Sequence, residues 1–209
     1  MPAYFSMILQ IKKENKYDDL ISDLTDTLIS NGFVYDRTDY ECGDNSLSDV
    51  IKYNNAKLKD DFELGYYEHF SHDFRQIYWK FRDFSEVRQY YYNEKDIDWF
   101  GCCIIIPESD FISFRSGEGV RYAFDPEATE ALKSIAKALW QLDFVESIQT
   151  ELELVGDAAE LDELERGECP SAFPFAVIRK EFMNEKYRHI FSNITETDRN
   201  GLLLERDDC

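Results

Sequence analysis

Histidine is scarce in this chain, with three residues in 209, and only His69 and His72 lie close together. Their spacing sets two imidazoles on one face of a helix, with Glu68 or Asp73 alongside, but a metal centre needs at least one ligand more. Neither HExxH nor a paired-cysteine spacing supplies it. The two histidines therefore read as exposed loop residues, and no metal or other cofactor is expected. The five cysteines, Cys42, Cys102, Cys103, Cys169 and Cys209, form an odd set without CxxC, which speaks against a disulfide framework and for reduced thiols in a cytoplasmic protein. Cys102 and Cys103 open an apolar run, where a thiol is a small buried hydrophobe rather than a nucleophile. GxGxxG, GxxxxGK[ST] and GxSxG are all missing. The nearest glycine-rich stretch, Ser116-Gly117-Glu118-Gly119, carries a carboxylate that would repel phosphate and precedes a strand pattern, so it reads as a hairpin turn. No catalytic residue is assigned. Basic side chains are few, 23 against 43 acidic, and the net charge of −20 argues against direct binding to nucleic acid or anionic lipid. No apolar run approaches the ~18 residues that would suggest a membrane span, and Met1 to Ile11 lacks a charged n-region. A soluble, unexported chain is expected.

Aromatic residues are abundant: 16 Phe, 13 Tyr and 3 Trp, within 44% apolar content, mark a folded protein despite the charge. Its length fits one domain over 1–209, or two packed halves at 1–100 and 101–209. Ala3 to Ile11 reads as a strand buried on both faces. Asn15 then offers an N-cap to a helix whose stripe is Tyr17, Leu20, Ile21, Leu24 and Leu28, stopped by Asn31-Gly32. Phe33 to Tyr40 alternates as a half-buried strand. A similar grammar returns near residue 120. Val120, Tyr122 and Phe124 alternate, Asp125-Pro126 starts a helix, and Ala128, Ala131, Leu132, Ile135 and Leu139 form its inner stripe, with Lys133 outside. This helix is expected to pack on a sheet containing Cys102 to Ile106. Phe144 to Leu154 follows as a strand. A shift of 111 residues aligns Leu20, Ile21, Leu24, Leu28, Phe33 and Val34 with Ala131, Leu132, Ile135, Leu139, Phe144 and Val145. Either two β-α-β units of ferredoxin-like type are duplicated, or two amphipathic helices feeding strands align by pattern alone.

Between and after these units, Ser46 to Leu58 reads as a short helix, and Ile77, Trp79 and Phe81 alternate as a strand. Trp99 to Pro107 is a buried strand that Phe111 to Phe114 extends after a break. Ala172 to Arg179 is a strand with Pro174 at an edge or at its first residues, and Lys180 to Ile190 a short helix. Asn193 to Cys209 looks loosely held, except for Leu202-Leu203-Leu204 at a sheet edge. The sum is an α+β fold with a mixed, largely antiparallel sheet and helices packed on it.

Two features stand out. From Asp143 to Glu168 ten acidic residues meet a single Arg166. Within it, Asp157 to Glu168 is either a short acidic helix or loop with Leu161 and Leu164 as anchors, or a solvated linker. From Phe62 to Phe100 the chain is crowded with rings, among them Tyr66, Tyr67, Tyr78 and Tyr90 to Tyr92. Consecutive tyrosines cannot all face one core, and an exposed tyrosine beside carboxylates suits a protein interface. The expected partner surface is Glu151, Glu153, Asp157, Glu160, Asp162, Glu163, Glu165 and Glu168 together with Tyr90, Tyr91 and Tyr92.

A compact α+β chain with this acidic run, this aromatic region and no catalytic motif resembles the small cytosolic immunity proteins that neutralise bacterial polymorphic or contact-dependent toxins. The resemblance is to a class, and no motif maps residue by residue. It implies a basic protein partner, the cognate toxin, with a nuclease as one candidate, blocked by direct binding. Two alternatives stay open: a small enzyme or ligand-binding protein with a carboxylate-lined cleft, and a nucleic-acid-mimicking inhibitor of a defence enzyme.

Overall fold

The computed structural model describes residues 3–38, 46–59, 75–93, 97–117 and 119–206. In chain order the elements are β1 (Tyr4–Lys12), α1 (Leu20–Ser30), β2 (Val34–Thr38), α2 (Leu47–Lys59), β3 (Ile77–Lys80), β4 (Val87–Asn93), β5 (Trp99–Pro107), β6 (Ile112–Gly117), β7 (Gly119–Phe124), α3 (Pro126–Trp140), β8 (Val145–Leu152), α4 (Leu161–Glu165), β9 (Phe175–Arg179), β10 (Asn193–Thr197) and β11 (Gly201–Glu205). The fold is α+β. Nine strands form one sheet in the order β10-β11-β9-β8-β1-β5-β4-β3-β2, every neighbouring pair antiparallel, and β6 with β7 forms a separate hairpin.

β1 runs through the middle of the sheet, Ile8 facing Cys103 of β5 on one side and Gln149 of β8 on the other. Its side chains alternate between two faces. Phe5, Met7, Leu9 and Ile11 join the larger core with residues of α1, α2 and α3, whereas Ile8 and Gln10 point to the opposite face. In α3 the Asp125 carboxylate accepts the Ala128 N–H at 2.7 Å and Pro126 takes the first helical position, so the sequence signals for its start hold. Leu132, Ile135 and Leu139 are buried, and the helix packs on α1, β8 and β9; Cys102 and Ile104 of β5 share its core. Lys133, placed outside by the periodicity, is instead 8% exposed and paired with Glu130 and Glu205.

Several expectations change. The paired β-α-β units are not joined as a ferredoxin-like sheet: β1 and β2 have β5, β4 and β3 between them, and β7 pairs with β6 outside the main sheet. α1 starts at Leu20, and Asn15 instead closes a 3-10 turn and donates to Glu146 at 3.2 Å. Lys180 to Ile190 holds two 3-10 turns, Lys180–Phe182 and Glu185–Ile190. Another 3-10 turn, Glu108–Asp110, separates β5 from β6. Asn193 to Glu205 is held in the sheet rather than loose, because β11 lies between β9 and β10 with Leu202, Leu203 and Leu204 buried.

The turn joining β10 to β11 is tied to the end of α3. Arg199 and Asn200 take left-handed conformations, at φ 58° and 55°. The Arg199 guanidinium donates to the carbonyls of Trp140, of Leu142 at 2.6 Å and of Asp143 at 2.6 Å, which serves the unpaired carbonyls of a helix C-terminus. Trp140 Nε1 donates to the Asp198 carbonyl at 2.8 Å. Gly201 permits this approach, since a Cβ there would lie 2.4 Å from Thr197 Oγ1 and 2.6 Å from Trp140 Nε1. Gly201→Ala is therefore expected to cost ~1–3 kcal/mol by overpacking. Thermal unfolding followed by circular dichroism checks it; an unchanged midpoint would show that the turn yields freely.

Candidate functional site

The second face of the sheet carries the acidic run. After β8 the chain reverses through Gly156, whose φ of +82° and close approach to the Phe173 ring exclude a side chain. Residues 157 to 160 then cross the sheet above two buried glutamines. Gln149 Oε1 accepts the N–H groups of Ala159 at 3.1 Å and Ser171 at 2.9 Å, while its Nε2 donates to the Ala159 carbonyl at 2.7 Å and to Gln10 Oε1 at 2.9 Å. Gln10 Nε2 donates to the same carbonyl at 2.9 Å, and the Ser147 hydroxyl donates to Gln10 Oε1. The clamp is thus closed on both sides of the chain. α4 follows, its Glu160 N–H donating to Glu163 Oε2 at 2.9 Å in a capping box. Leu161 and Leu164 are buried in a second, smaller core with Trp99, Ala176, Ile178, Phe182 and Leu204. The stretch from Asp157 to Glu168 is an anchored segment with a short helix at Leu161–Glu165, and not a free linker.

The clamp can be tested alone. Gln149→Ala removes the acceptor of two buried N–H groups, each of which costs ~1–3 kcal/mol if left unmet. The segment is expected to open locally, raising amide exchange at Ala159 and Ser171 by about tenfold or more, the equivalent of ~1.4 kcal/mol. Exchange at the wild-type rate would show that the two leucines of α4 suffice.

The expected partner residues divide by position. Asp157, Glu160, Asp162, Glu165 and Glu168 are exposed, and Glu163 is half-buried by its capping role. Glu151 lies on the same sheet face, accepts the Ala158 N–H at 2.8 Å, and has its carboxyl pushed up by burial. Glu153 sits apart, accepting the Tyr4 N–H at 2.9 Å near Glu108. Along β4 the tyrosines alternate as strand geometry demands. Tyr90 and Tyr92 are half-buried on the face of Glu151, and burial, with Cys103 and Glu151 nearby, pushes their phenols up. Tyr91, expected among the contact residues, is 2% exposed on the helix-covered face, where its hydroxyl accepts from Gln89 Nε2 at 2.7 Å. It cannot reach a partner.

Between α4 and the ends of β1 and β5 lies a partly enclosed cleft of about 530 Å³. Among the described residues its walls are Glu14, Asp98, Glu160, Asp162 and Glu165 with Lys12 and Lys13, and Ile97, Trp99 and Leu161 as apolar lining. Lys12 Nζ lies 2.7 Å from Glu165 Oε1, which raises the pKa of the ammonium. Sequence reasoning found the α4 wall and missed the other. Lys12-Lys13 closes an apolar run and Trp99 opens one, but nothing in the spacing of residues 12 and 99 shows that they face each other in the sheet.

No family model matches the chain, and no curated protein matches it. Cys102 and Cys103 are buried, and burial raises both thiols, that of Cys102 to about 12, so they behave as core residues. His69 and His72, with Tyr66, Tyr67, Cys42 and Cys209, lie outside the described residues. Among the described residues no group of three His, Cys, Asp or Glu is placed to hold a metal ion, and no helix is long and apolar enough to cross a membrane.

Proposed function

We propose that this chain is an acidic protein-binding inhibitor, an immunity protein that neutralises a bacterial toxin by covering a basic surface, such as the nucleic-acid groove of a nuclease. One observation carries the reading: the densest acidic segment, 157 to 168, is clamped to the nine-stranded sheet by Gln10 and Gln149 while most of its carboxylates face outward. Held in this way, the charges form a fixed pattern and lose little entropy on binding. Their field steers a basic partner and speeds association, while half-buried Tyr90 and Tyr92 on the same face supply apolar contact that slows release.

The test begins with affinity capture from the native cell and identification of the partner by mass spectrometry. Association and dissociation rates are then measured across a salt series. A basic protein whose association rate falls steeply with salt supports the reading. A partner whose association ignores salt, or one lost on removing a small-molecule substrate, overturns it.

A further inference from the structure

The two outermost strands of the nine-stranded sheet, β2 and β10, are built differently. Exposed edge strands invite pairing, and proteins blunt them with bulges, charges or proline. β2 is blunted in this way: its register slips between Tyr35 and Arg37, and Asp36, at the slip, meets Arg37 at 2.7 Å and Lys80 at 2.9 Å. β10 is not. It runs from Asn193 to Thr197 without a slip or a proline and, among the described residues, pairs with β11 alone. Its single charge, Glu196, already holds Lys180 at 2.5 Å. Its outward groups follow from the ladder behind it. The Lys180 N–H donates to the Asn200 carbonyl and the Arg206 N–H to that of Pro174, both at 2.9 Å, so Leu202 and Leu204 turn their main-chain groups to β9, while Gly201, Leu203 and Glu205 turn theirs to β10. The facing residues Thr197, Thr195 and Asn193 are thereby occupied, and Ile194 and Glu196 direct both N–H and C=O away from the sheet. We infer that β10 pairs antiparallel with β10 of a second copy of this chain, about a two-fold axis at Thr195.

The residues favour this one register. Ile194 lies opposite Glu196 of the second copy and Glu196 opposite its Ile194, so both residues exchange their outward bonds, and the two Thr195 side chains meet as a close, non-hydrogen-bonded pair. Asn193 then faces Thr197, polar against polar. Sliding by two residues sets Glu196 against Glu196 in one direction, and in the other against Ser192, whose N–H already serves the Glu205 carbonyl at 2.8 Å. A two-fold contact closes on itself, and the blunted β2 keeps the sheet from growing at its other end. A basic strand would gain little here, because the one carboxylate of β10 already has its cation. Salt separates the two kinds of partner. Chains of net charge −20 repel each other, so screening strengthens the dimer, whereas it weakens capture of a basic protein.

The experiment reads mass and register on the full chain. Sedimentation at concentrations up to ~1 mM, where a weak self-association is still populated, is expected to show monomer and dimer, the dimer fraction rising with concentration and with salt. Thr195→Lys sets two ammonium groups against each other at an exposed position and should weaken the dimer about fivefold or more, with circular dichroism and melting unchanged. Thr195→Cys tests the register without relying on that variant. Opposed residues of a non-hydrogen-bonded pair lie within disulfide reach, so mild oxidation should join two copies through this position above the background of the native cysteines, whereas Thr197→Cys, which faces Asn193, should not. A chain that is monomeric throughout this range, a dimer indifferent to Thr195→Lys, or equal cross-linking in the two cysteine variants overturns the assignment. A monomer whose Thr195→Lys variant loses the captured partner does the same, and gives the edge to another protein. The inhibitor reading is tested apart from this, by partner association that falls with salt, so either can fail alone.

Discussion

Leu132→Ala is expected to lower the melting temperature by on the order of 10 °C, from a loss of ~2–5 kcal/mol at roughly 2–4 °C per kcal/mol for a chain of this size. Leu132 is fully buried where α3 meets α1, β8 and β9, so the truncation leaves a cavity in the larger core. The loss is a large part of the ~5–15 kcal/mol by which a domain is usually stable. The matched control must be chosen from the structure. Lys133 is buried and bridges Glu130 of its own helix to Glu205 of β11, so Lys133→Ala would itself destabilise. Lys137 is exposed, and Lys137→Ala should move the midpoint by no more than ~0.5 kcal/mol. Equal shifts in the two variants would mean that α3 is turned the other way.

The second large effect is kinetic. Reversing Asp157, Asp162 and Glu165 to lysine together should slow association with the captured partner by about tenfold or more at low salt, and the difference should shrink as salt screens it. These positions are chosen because they cost the fold little. Asp162 meets Arg166 at 2.5 Å in an exposed pair of the kind that contributes ~0–1 kcal/mol, and exposed Glu165 meets half-buried Lys12 at 2.7 Å near the surface. Glu163 is left in place because it caps α4. Circular dichroism and melting should match the parent. An association rate indifferent to both the triple reversal and salt would reduce the acidic segment to a solvated surface.

Local chemistry carried much of this structure into the sequence. The start of α3 was legible because an N-cap aspartate and a following proline have few other uses, whereas the alternation of Tyr90, Tyr91 and Tyr92 was not, because no strand was expected at Val87–Asn93 and all three rings were placed on one surface. The burial of Cys102 and Cys103 followed from their apolar surroundings. Strand order was not legible, since a period of two tells which residues share a face but not which strand lies beside it. Two amphipathic helices thus suggested a duplicated unit, although β1 and β2 stand three strands apart. Leu202 to Leu204 looked like an edge because the run is short, yet β10 covers that edge. The site followed the same division. Its carboxylates were visible as composition, while Gln10, Gln149 and Trp99 became meaningful only when distant strands brought them together.

The central place of β1 has a cost during synthesis. Phe5 to Ile11, among the most apolar segments of the chain, finds one flanking strand only when Phe100 to Ile106 has been made and the other only with Val145 to Leu152. Pairings so distant in sequence form slowly, and until they form the strand presents both unpaired edges and its apolar face of Phe5, Met7, Leu9 and Ile11 to its surroundings. The nascent chain is therefore an aggregation hazard and a natural client for a holding chaperone. Supply of the folded protein would then be limited by folding rather than by translation.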